Sequence, residues 1–175
     1  MIKIHGSSGI EFPNNYSIKS DSGDLNVYND VNKLWGMNSA GNRNLPYHPI
    51  ASLSHTLEVQ LSGVILDSTN FYNHEYVNIG NHFDKNTGRF TCSIDGVYRI
   101  YFRHSTLPNK DANIRLRKNG ENINEAYAGT MATYNSVESE AVVYCLAGDY
   151  LDIQVASLYA IQGKQHKQVT FQLIG

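Results

Sequence analysis

From residue 50 onward, the sequence consists of short segments in which apolar and polar residues alternate, with turn-forming residues about every eight to twelve positions. Alternation with a period of two places the apolar side chains on one face of a strand. A series of about eight to ten such strands, without helix-period segments between them, is typical of a β-sandwich or jelly roll. We therefore expect an all-β domain over residues 49–175.

The clearest of these segments is FDKNTGRFTCSIDGVYRIYF, residues 83–102. Its apolar positions before the turn are Phe90, Cys92 and Ile94, and those after it are Tyr98, Ile100 and Phe102. Asp95-Gly96 between them is a tight-turn pair. The pattern predicts a hairpin with one apolar face on each strand.

A second hairpin is predicted in NIRLRKNGENI, residues 113–123, where Asn119-Gly120 suits a type I′ turn. Alternation places Ile114 and Leu116 on one face and the arginines of RLRK on the other. We interpret these arginines as a solvated strand face rather than a phosphate site. The closing strand QVTFQLIG has its apolar face at Val169, Phe171 and Leu173.

Residues 1–48 have a different composition, with frequent asparagine and few large apolar residues. Three extended pieces, IKI, YSIKS and LNVYN, are separated by glycine-bearing turns. Strands this short bury little surface within one chain, so we expect a β-rich stalk or attachment region whose core is shared between chains. The alternative is a flexible polar leader, against which Trp35 argues. The PYHP segment predicts the boundary with the following domain.

Composition excludes several function classes. The formal net charge is only −2, and 17% of the residues are charged, so the clustered cations that bind nucleic acid are missing. No run of 18 apolar residues predicts a membrane-spanning helix. The first residues lack the long apolar stretch of a signal peptide, so we do not expect the usual export route.

No catalytic motif is evident. The seven histidines are scattered, and neither a nucleophile elbow nor a phosphate loop occurs. Glu138 and Glu140 share a strand face, but no cleft is predicted beside them. Cys92 and Cys145 each lie in an apolar strand-like run, and free thiols and a disulfide both remain open. We expect no enzyme, no cofactor and no metal site, although the sequence leaves a calcium ion undecided.

The order of motifs from about residue 50 resembles the globular head domain of complement C1q, within the C1q/tumour-necrosis-factor-like jelly-roll group. The matching stretches are FDKNTGRFTCSIDGVY, LRKNG, GDYLDIQV and the terminal TFQLIG. Cys145 departs from the pattern, because the family usually has leucine before its Gly-Asp pair. The resemblance implies a jelly-roll β-sandwich that assembles as a homotrimer.

The same resemblance implies which strands line the three-fold axis. If Tyr98, Ile100 and Phe102 face the core, Tyr101 points outward, and the same alternation turns Tyr144 and Gln172 outward. A large outward-facing tyrosine on a central strand is more often buried by a partner than left in water. We expect Tyr101, Tyr144 and Gln172 at the trimer interface, the alternative being exposure on an outer sheet.

The polar stretch from Glu125 to Glu138 is predicted to be an exposed loop. Exposed aromatic rings bind sugar faces and protein pockets well. We expect Tyr127, Tyr134 and also Tyr159 to contact a receptor or saccharide. The alternative is that this stretch only covers a sheet edge or packs on another subunit.

The stretch SGDLNVYNDVNKLWGMNSAGNRNLPYHP resembles the short-strand repeats of phage tail-fibre proteins. The favoured hypothesis is therefore a virion fibre or spike, assembled in the host cytoplasm. Its N-terminal region would bind other virion proteins, and its knob would bind a host surface saccharide or protein. The alternatives are a purely structural virion protein and a soluble cellular C1q-like recognition module.

Overall fold

The computed structural model describes residues 49–160 and 166–175, together with six short strands within the first 48 residues. The chain divides into two compact units, Met1–His48 and Pro49–Gly175. Within the described residues, no helix is long and apolar enough to cross a membrane.

The first unit contains six antiparallel strands, each paired with its neighbours in chain order. They are β1 (Lys3–His5), β2 (Gly9–Glu11), β3 (Tyr16–Asp21), β4 (Asp24–Asn29), β5 (Asn32–Met37) and β6 (Arg43–Asn44). The predicted pieces YSIKS and LNVYN lie within β3 and β4, and IKI overlaps β1 at Lys3 and Ile4, its first residue lying outside the described residues. Trp35 lies in β5, opposite Val27. An arrangement of several chains around this unit stays a prediction.

The described residues of the second unit, 49–160 and 166–175, contain eleven strands. They are β7 (Ile50–Ser54), β8 (Val59–Ile65), β9 (His74–Ile79), β10 (Phe83–Asp84), β11 (Arg89–Thr91), β12 (Gly96–Thr106), β13 (Ala112–Lys118), β14 (Glu121–Ala128), β15 (Asn135–Cys145), β16 (Tyr150–Ala160) and β17 (Lys167–Leu173). All their pairings are antiparallel, which is typical of a sandwich and confirms the all-β prediction.

These strands form two layers. Among the described residues, one backbone pair joins a strand of one layer to a strand of the other, Thr106 of β12 with Ala160 of β16. Sheet I has the order β9-β7-β17-β12-β15. Sheet II has the order β10-β11-β16-β13-β14, and β8 also pairs with β16. The layers have two ends. We call the end with Gly96, Cys145 and Leu173 proximal, and the end with Thr106, Asn135 and Lys167 distal.

The facing sides of the two sheets form the hydrophobic core. The alternation predicted from the sequence is confirmed here, because Tyr98, Ile100 and Phe102 are fully buried, as are Ile114 and Leu116 on β13. The predicted face of β17 is also buried. Phe171 lies between two other rings, with centroids 5.4 Å from both Phe83 and Phe90.

The hairpin predicted at Asp95-Gly96 is wrong. β11 pairs with β10 and β16 in sheet II, whereas β12 pairs with β15 and β17 in sheet I. The chain therefore crosses between layers at residues 92–95, and Ile94 is exposed instead of sharing the buried face of Phe90. Gly96 is required here because a side chain would not fit. A Cβ at this position would lie 2.7 Å from Leu173 Cδ1 and 2.8 Å from the Gly175 carbonyl oxygen.

The second hairpin is confirmed. β13 and β14 pair antiparallel on either side of Asn119-Gly120. Both turn residues have positive φ, 51° and 85°, which a type I′ turn requires and which asparagine and glycine adopt with little strain.

Replacing Phe171 by alanine should destabilise the second unit by about 3–5 kcal/mol, because it removes a fully buried ring and leaves a cavity between two others. Urea unfolding followed by circular dichroism measures the loss. Met131→Ala, at an exposed loop position, is the control and should change stability by less than about 0.5 kcal/mol. Equal effects of the two changes would contradict the described core.

Candidate functional site

The loop predicted from Glu125 to Glu138 is wrong in its extent. β14 continues to Ala128 and β15 begins at Asn135, so the connection is residues 129–134. The strand persists because Glu125 and Tyr127 continue the pairing with β13, opposite Arg115 and Asn113. Polar composition suggested a loop, but strands at the edge of a sandwich also carry polar residues on their outer face.

Three large side chains are exposed together around this connection, and we call them the distal patch: Tyr127, Met131 and Tyr134. Their exposed fractions are 67%, 51% and 64%. Tyr127 ends near the loop, since a Cβ at Gly129 would lie 3.6 Å from its ring. Two of the three predicted recognition residues, Tyr127 and Tyr134, thus flank or lie in the same six-residue connection.

The loop beneath the distal patch is fixed by two hydrogen bonds. The Asn109 backbone N–H donates to the Met131 carbonyl at 2.6 Å. The Asn135 side-chain amide donates to the Gly129 carbonyl at 3.1 Å. These bonds hold the loop backbone at Gly129 and Met131, which lowers the backbone entropy lost when a ligand binds there.

Tyr159, the third predicted recognition residue, lies on β16 at the same end but is already engaged. Its hydroxyl accepts a hydrogen bond from Gln60 at 3.3 Å. The Lys110 ammonium lies 4.6 Å from its ring centroid. Since Lys110 follows Asn109, which holds Met131, this tyrosine borders the distal patch without sharing its exposure.

The predicted trimer-interface residues lie together on the outer face of sheet I. Tyr101 is half-buried, Tyr144 is 57% exposed and Gln172 is half-buried. The Tyr101 hydroxyl donates to Glu138 at 2.5 Å, and hydrogen bonding to this carboxylate adds to burial in raising the pKa of Tyr101. Arg99 donates two hydrogen bonds to Glu140, at 2.9 and 2.8 Å.

This outer face changes character along its length. Its proximal part is apolar, with Val97 half-buried and both Val142 and Tyr144 57% exposed. Its distal part carries ionic groups, among them Glu138 and Glu140. Sequence reasoning singled out Tyr144 but missed Val142, although every second residue from Glu138 to Tyr144 lies on this face.

A buried cluster of basic side chains lies below the distal end, and no sequence pattern predicted it. The Lys167 ammonium donates to the Leu57 carbonyl and lies 3.5 Å from His55 Nδ1. Burial lowers the pKa of Lys167 to about 8. His104 is fully buried, and its pKa falls to about 3 through burial first and the charge of Lys167 second.

The arginines of RLRK are paired within sheet II. Arg117 donates to both carboxylate oxygens of buried Asp152, at 2.7 and 2.9 Å. The Nε atom of Arg115 lies 3.4 Å from Oε1 of Glu125. The strand is confirmed, but its arginine face is not solvated at Arg117, whose side chain is 13% exposed beside the fully buried Asp152.

A cavity of about 360 Å³ opens beside β9, lined by Leu53, Ser68, Tyr72, Asn73, His74, Glu75 and Lys85. Serine, histidine and glutamate together suggest nucleophilic catalysis, but the Ser68 hydroxyl contacts Asn86 and the His74 ring packs edge-on against Tyr76. The nucleophile–base hydrogen bond of that chemistry is therefore not formed. Within the described ranges, no group of three or more side chains is arranged to hold a metal ion.

Comparison with known proteins gives the family. The family model for the C1q domain matches residues 54–172, and the chain therefore belongs to the C1q domain family. The protein "Complement C1q tumor necrosis factor-related protein 3" from Homo sapiens is 31% identical over 126 residues, which cover 70% of this chain and 48% of that protein. Its Mus musculus counterpart is 29% identical over the same coverage. The chain spans about half the length of these relatives.

Solved structures share the fold of the second unit. The globular domain of zebrafish complement 1qA protein superposes with a TM-score of 0.59 at 20% identity, covering 73% of this chain and 98% of that one. Murine APRIL at pH 5.0 gives 0.56 at 13% identity, covering 73% and 99%. Eiger TNF from S. frugiperda gives 0.56 at 15% identity, covering 73% and 93%. C1q/TNF-like domains are generally non-enzymatic recognition or signalling modules.

Acidification should destabilise the second unit through His104. The pKa of His104 is about 3 in the folded chain, against about 6.5 for an unfolded histidine. Between these values the unfolded chain binds a proton that the folded chain does not, so stability falls as pH drops below about 6.5. The loss should reach about 3 kcal/mol near about pH 4.

Urea unfolding at several pH values measures this loss. His104→Gln should flatten the decline, whereas His74→Gln, at a half-exposed position, controls for the removal of a histidine elsewhere. A decline of the same slope in both variants would contradict the role given to His104.

Proposed function

We propose that this chain is a non-enzymatic, homotrimeric recognition protein of the C1q type that binds its ligand through the distal patch. The observation that carries the proposal is the exposure of Tyr127, Met131 and Tyr134 around one short, hydrogen-bonded loop. Several large side chains exposed around one short connection make it a candidate interaction surface, whereas single exposed ones are ordinary.

Trimer formation is supported by the outer face of sheet I. Domains of this family typically form homotrimers. Val142 and Tyr144 expose apolar area near the proximal end that burial against other subunits would remove from water. The intrachain pairs Arg99–Glu140 and Tyr101–Glu138 satisfy the polar groups of the same face, so burying it would leave few unpaired charges.

Ligand binding is proposed at the distal end because the sheets hold the patch rigidly while leaving its rings open. Two tyrosines and a methionine offer apolar area with two hydroxyl groups, which suits a saccharide face or a shallow protein pocket. Met131 lacks the polar handle of the tyrosines and can adapt its shape. Three copies per trimer would multiply weak individual contacts through avidity.

Among the hypotheses raised from the sequence, the relatives favour the cellular C1q-like recognition module, because the named relatives are animal C1q-related proteins. The virion fibre is a second proposal. One observation favours it, namely the six short strands that pair in chain order within residues 1–48. Mass spectrometry of virus particles purified from the organism that produces the chain would test this proposal. Absence of the chain from those particles would count against a virion role.

The double variant Tyr101→Ala with Tyr144→Ala should weaken subunit association. Each lost ring removes about 1.5–3 kcal/mol of the free energy of association per subunit. The variant should therefore dissociate on dilution at concentrations where the parent chain stays trimeric. Sedimentation velocity across a dilution series measures this. Tyr127→Ala with Tyr134→Ala, which removes two rings from the distal patch, is the matched control and should leave the trimer mass unchanged.

The same distal double variant should lose ligand binding. Adsorption to candidate cells and binding to a glycan array report on the parent and on the variant at equal trimer concentration. We expect at least a tenfold loss, because two exposed rings at the centre of a small surface contribute most of its contact energy. Binding that survives the change in a folded trimer would place the site elsewhere. No binding by the parent to any cell or glycan would contradict recognition of this kind.

A further inference from the structure

The two cysteines lie at the proximal end, one in each layer. Cys92 directly follows β11 of sheet II, and Cys145 is the last residue of β15 of sheet I. The Cys92 N–H donates to the Asp149 carbonyl at 2.8 Å, and its carbonyl accepts from the Gly148 N–H at 2.8 Å. The turn that follows Cys145 is therefore hydrogen-bonded to both the backbone N–H and the backbone carbonyl of Cys92.

The side chains meet as well. Both cysteines are fully buried and are free thiols in this structure. Each thiol is among the causes that shift the pKa of the other, and both belong to the same buried core cluster, so the two side chains are neighbours. Cys145 also pairs with Gly96, four residues after Cys92, so the segment that crosses between the sheets holds the two positions together.

We propose that Cys92 and Cys145 form an intrachain disulfide that joins sheet I to sheet II when the folding chain meets a small-molecule disulfide such as glutathione disulfide. The thiolate of one cysteine attacks a sulfur of the oxidant and releases one small thiol. The second cysteine then attacks the mixed disulfide and releases the other. The two protons lost by the cysteines end on the two small thiols, and the oxidant takes up both electrons.

Burial determines when this reaction occurs. It raises the pKa of both thiols, and the thiolate is the reacting form. The finished fold therefore reacts slowly in either direction, and the bond forms while the proximal end is still opening and closing during folding. Once formed, it is protected from external thiols by the same burial.

The bond would enclose β12 to β15, four of the eleven strands described in the second unit. Closing a loop of this length restricts the unfolded chain and should raise the melting temperature by about 10 °C. It would leave the distal patch unchanged, because that patch lies at the opposite end of the unit. It would also leave the outer face of sheet I unchanged, because both cysteine side chains are buried in the core.

The test uses the full chain, unfolded and refolded in a glutathione redox buffer. Alkylation in denaturant followed by intact mass should show neither cysteine modified, and digestion without reductant should yield a cross-linked peptide pair containing Cys92 and Cys145. Thermal melting with and without prior reduction should differ by about 10 °C. Cys92→Ala and Cys145→Ala should each melt at a temperature that does not depend on reduction.

Several results would overturn the proposal. Two alkylatable thiols after refolding at any glutathione ratio would show that the pair stays reduced. A stable mixed disulfide with glutathione, or a disulfide between chains, would show that the sulfur atoms cannot bond to each other. If an alanine variant fails to fold, the redox titration and peptide map of the unmodified chain still decide the question.

Discussion

The pairing of β12 with β15 on one side and β17 on the other is the constraint on which both faces of sheet I depend. β12 is eleven residues long and is paired with β15 along its entire length, from Gly96 to Thr106. Because side chains alternate along a strand, this register sends Tyr98, Ile100 and Phe102 into the core and turns Tyr101 outward. A shift of one residue would exchange the two sets, exposing three large apolar side chains and burying arginine.

Alternation and turn chemistry explain what the sequence could predict. The faces of β12, β13 and β17 follow from a period of two, and Asn119-Gly120 specifies its turn through backbone conformation alone. The pairing partners of β11 and β12 could not be predicted in the same way. Asp95-Gly96 resembles a hairpin turn locally, but the glycine is needed because Leu173 and Gly175, almost eighty residues later, leave no room for a side chain.

The buried basic cluster was equally inaccessible to sequence patterns. Lys167 follows a mostly polar stretch and is the first residue of a strand, a position where a lysine is ordinarily solvated. Its ammonium is buried because β17 runs between β7 and β12, which places the first residue of β17 under Leu57 and beside His55. In the candidate site, Tyr127 and Tyr134 could be predicted as exposed from the polar stretch that contains them. The exposure of Met131 could be recognised only once the structure showed where β14 ends and β15 begins.

The position of β17 also bears on how the domain is made. Sheet I has the order β9-β7-β17-β12-β15, so the last strand of the unit in sequence is the middle strand of its layer. During synthesis, β7 and β12 have no shared neighbour until residues 167–173 leave the ribosome. Until then the nascent chain presents two unpaired strand edges and an aromatic core that still lacks Phe171. Chaperones bind such surfaces, and unfinished chains aggregate through them. The domain must therefore complete its folding after β17 is released. Its yield in a cell depends on how well chaperones keep the incomplete chain from aggregating before that.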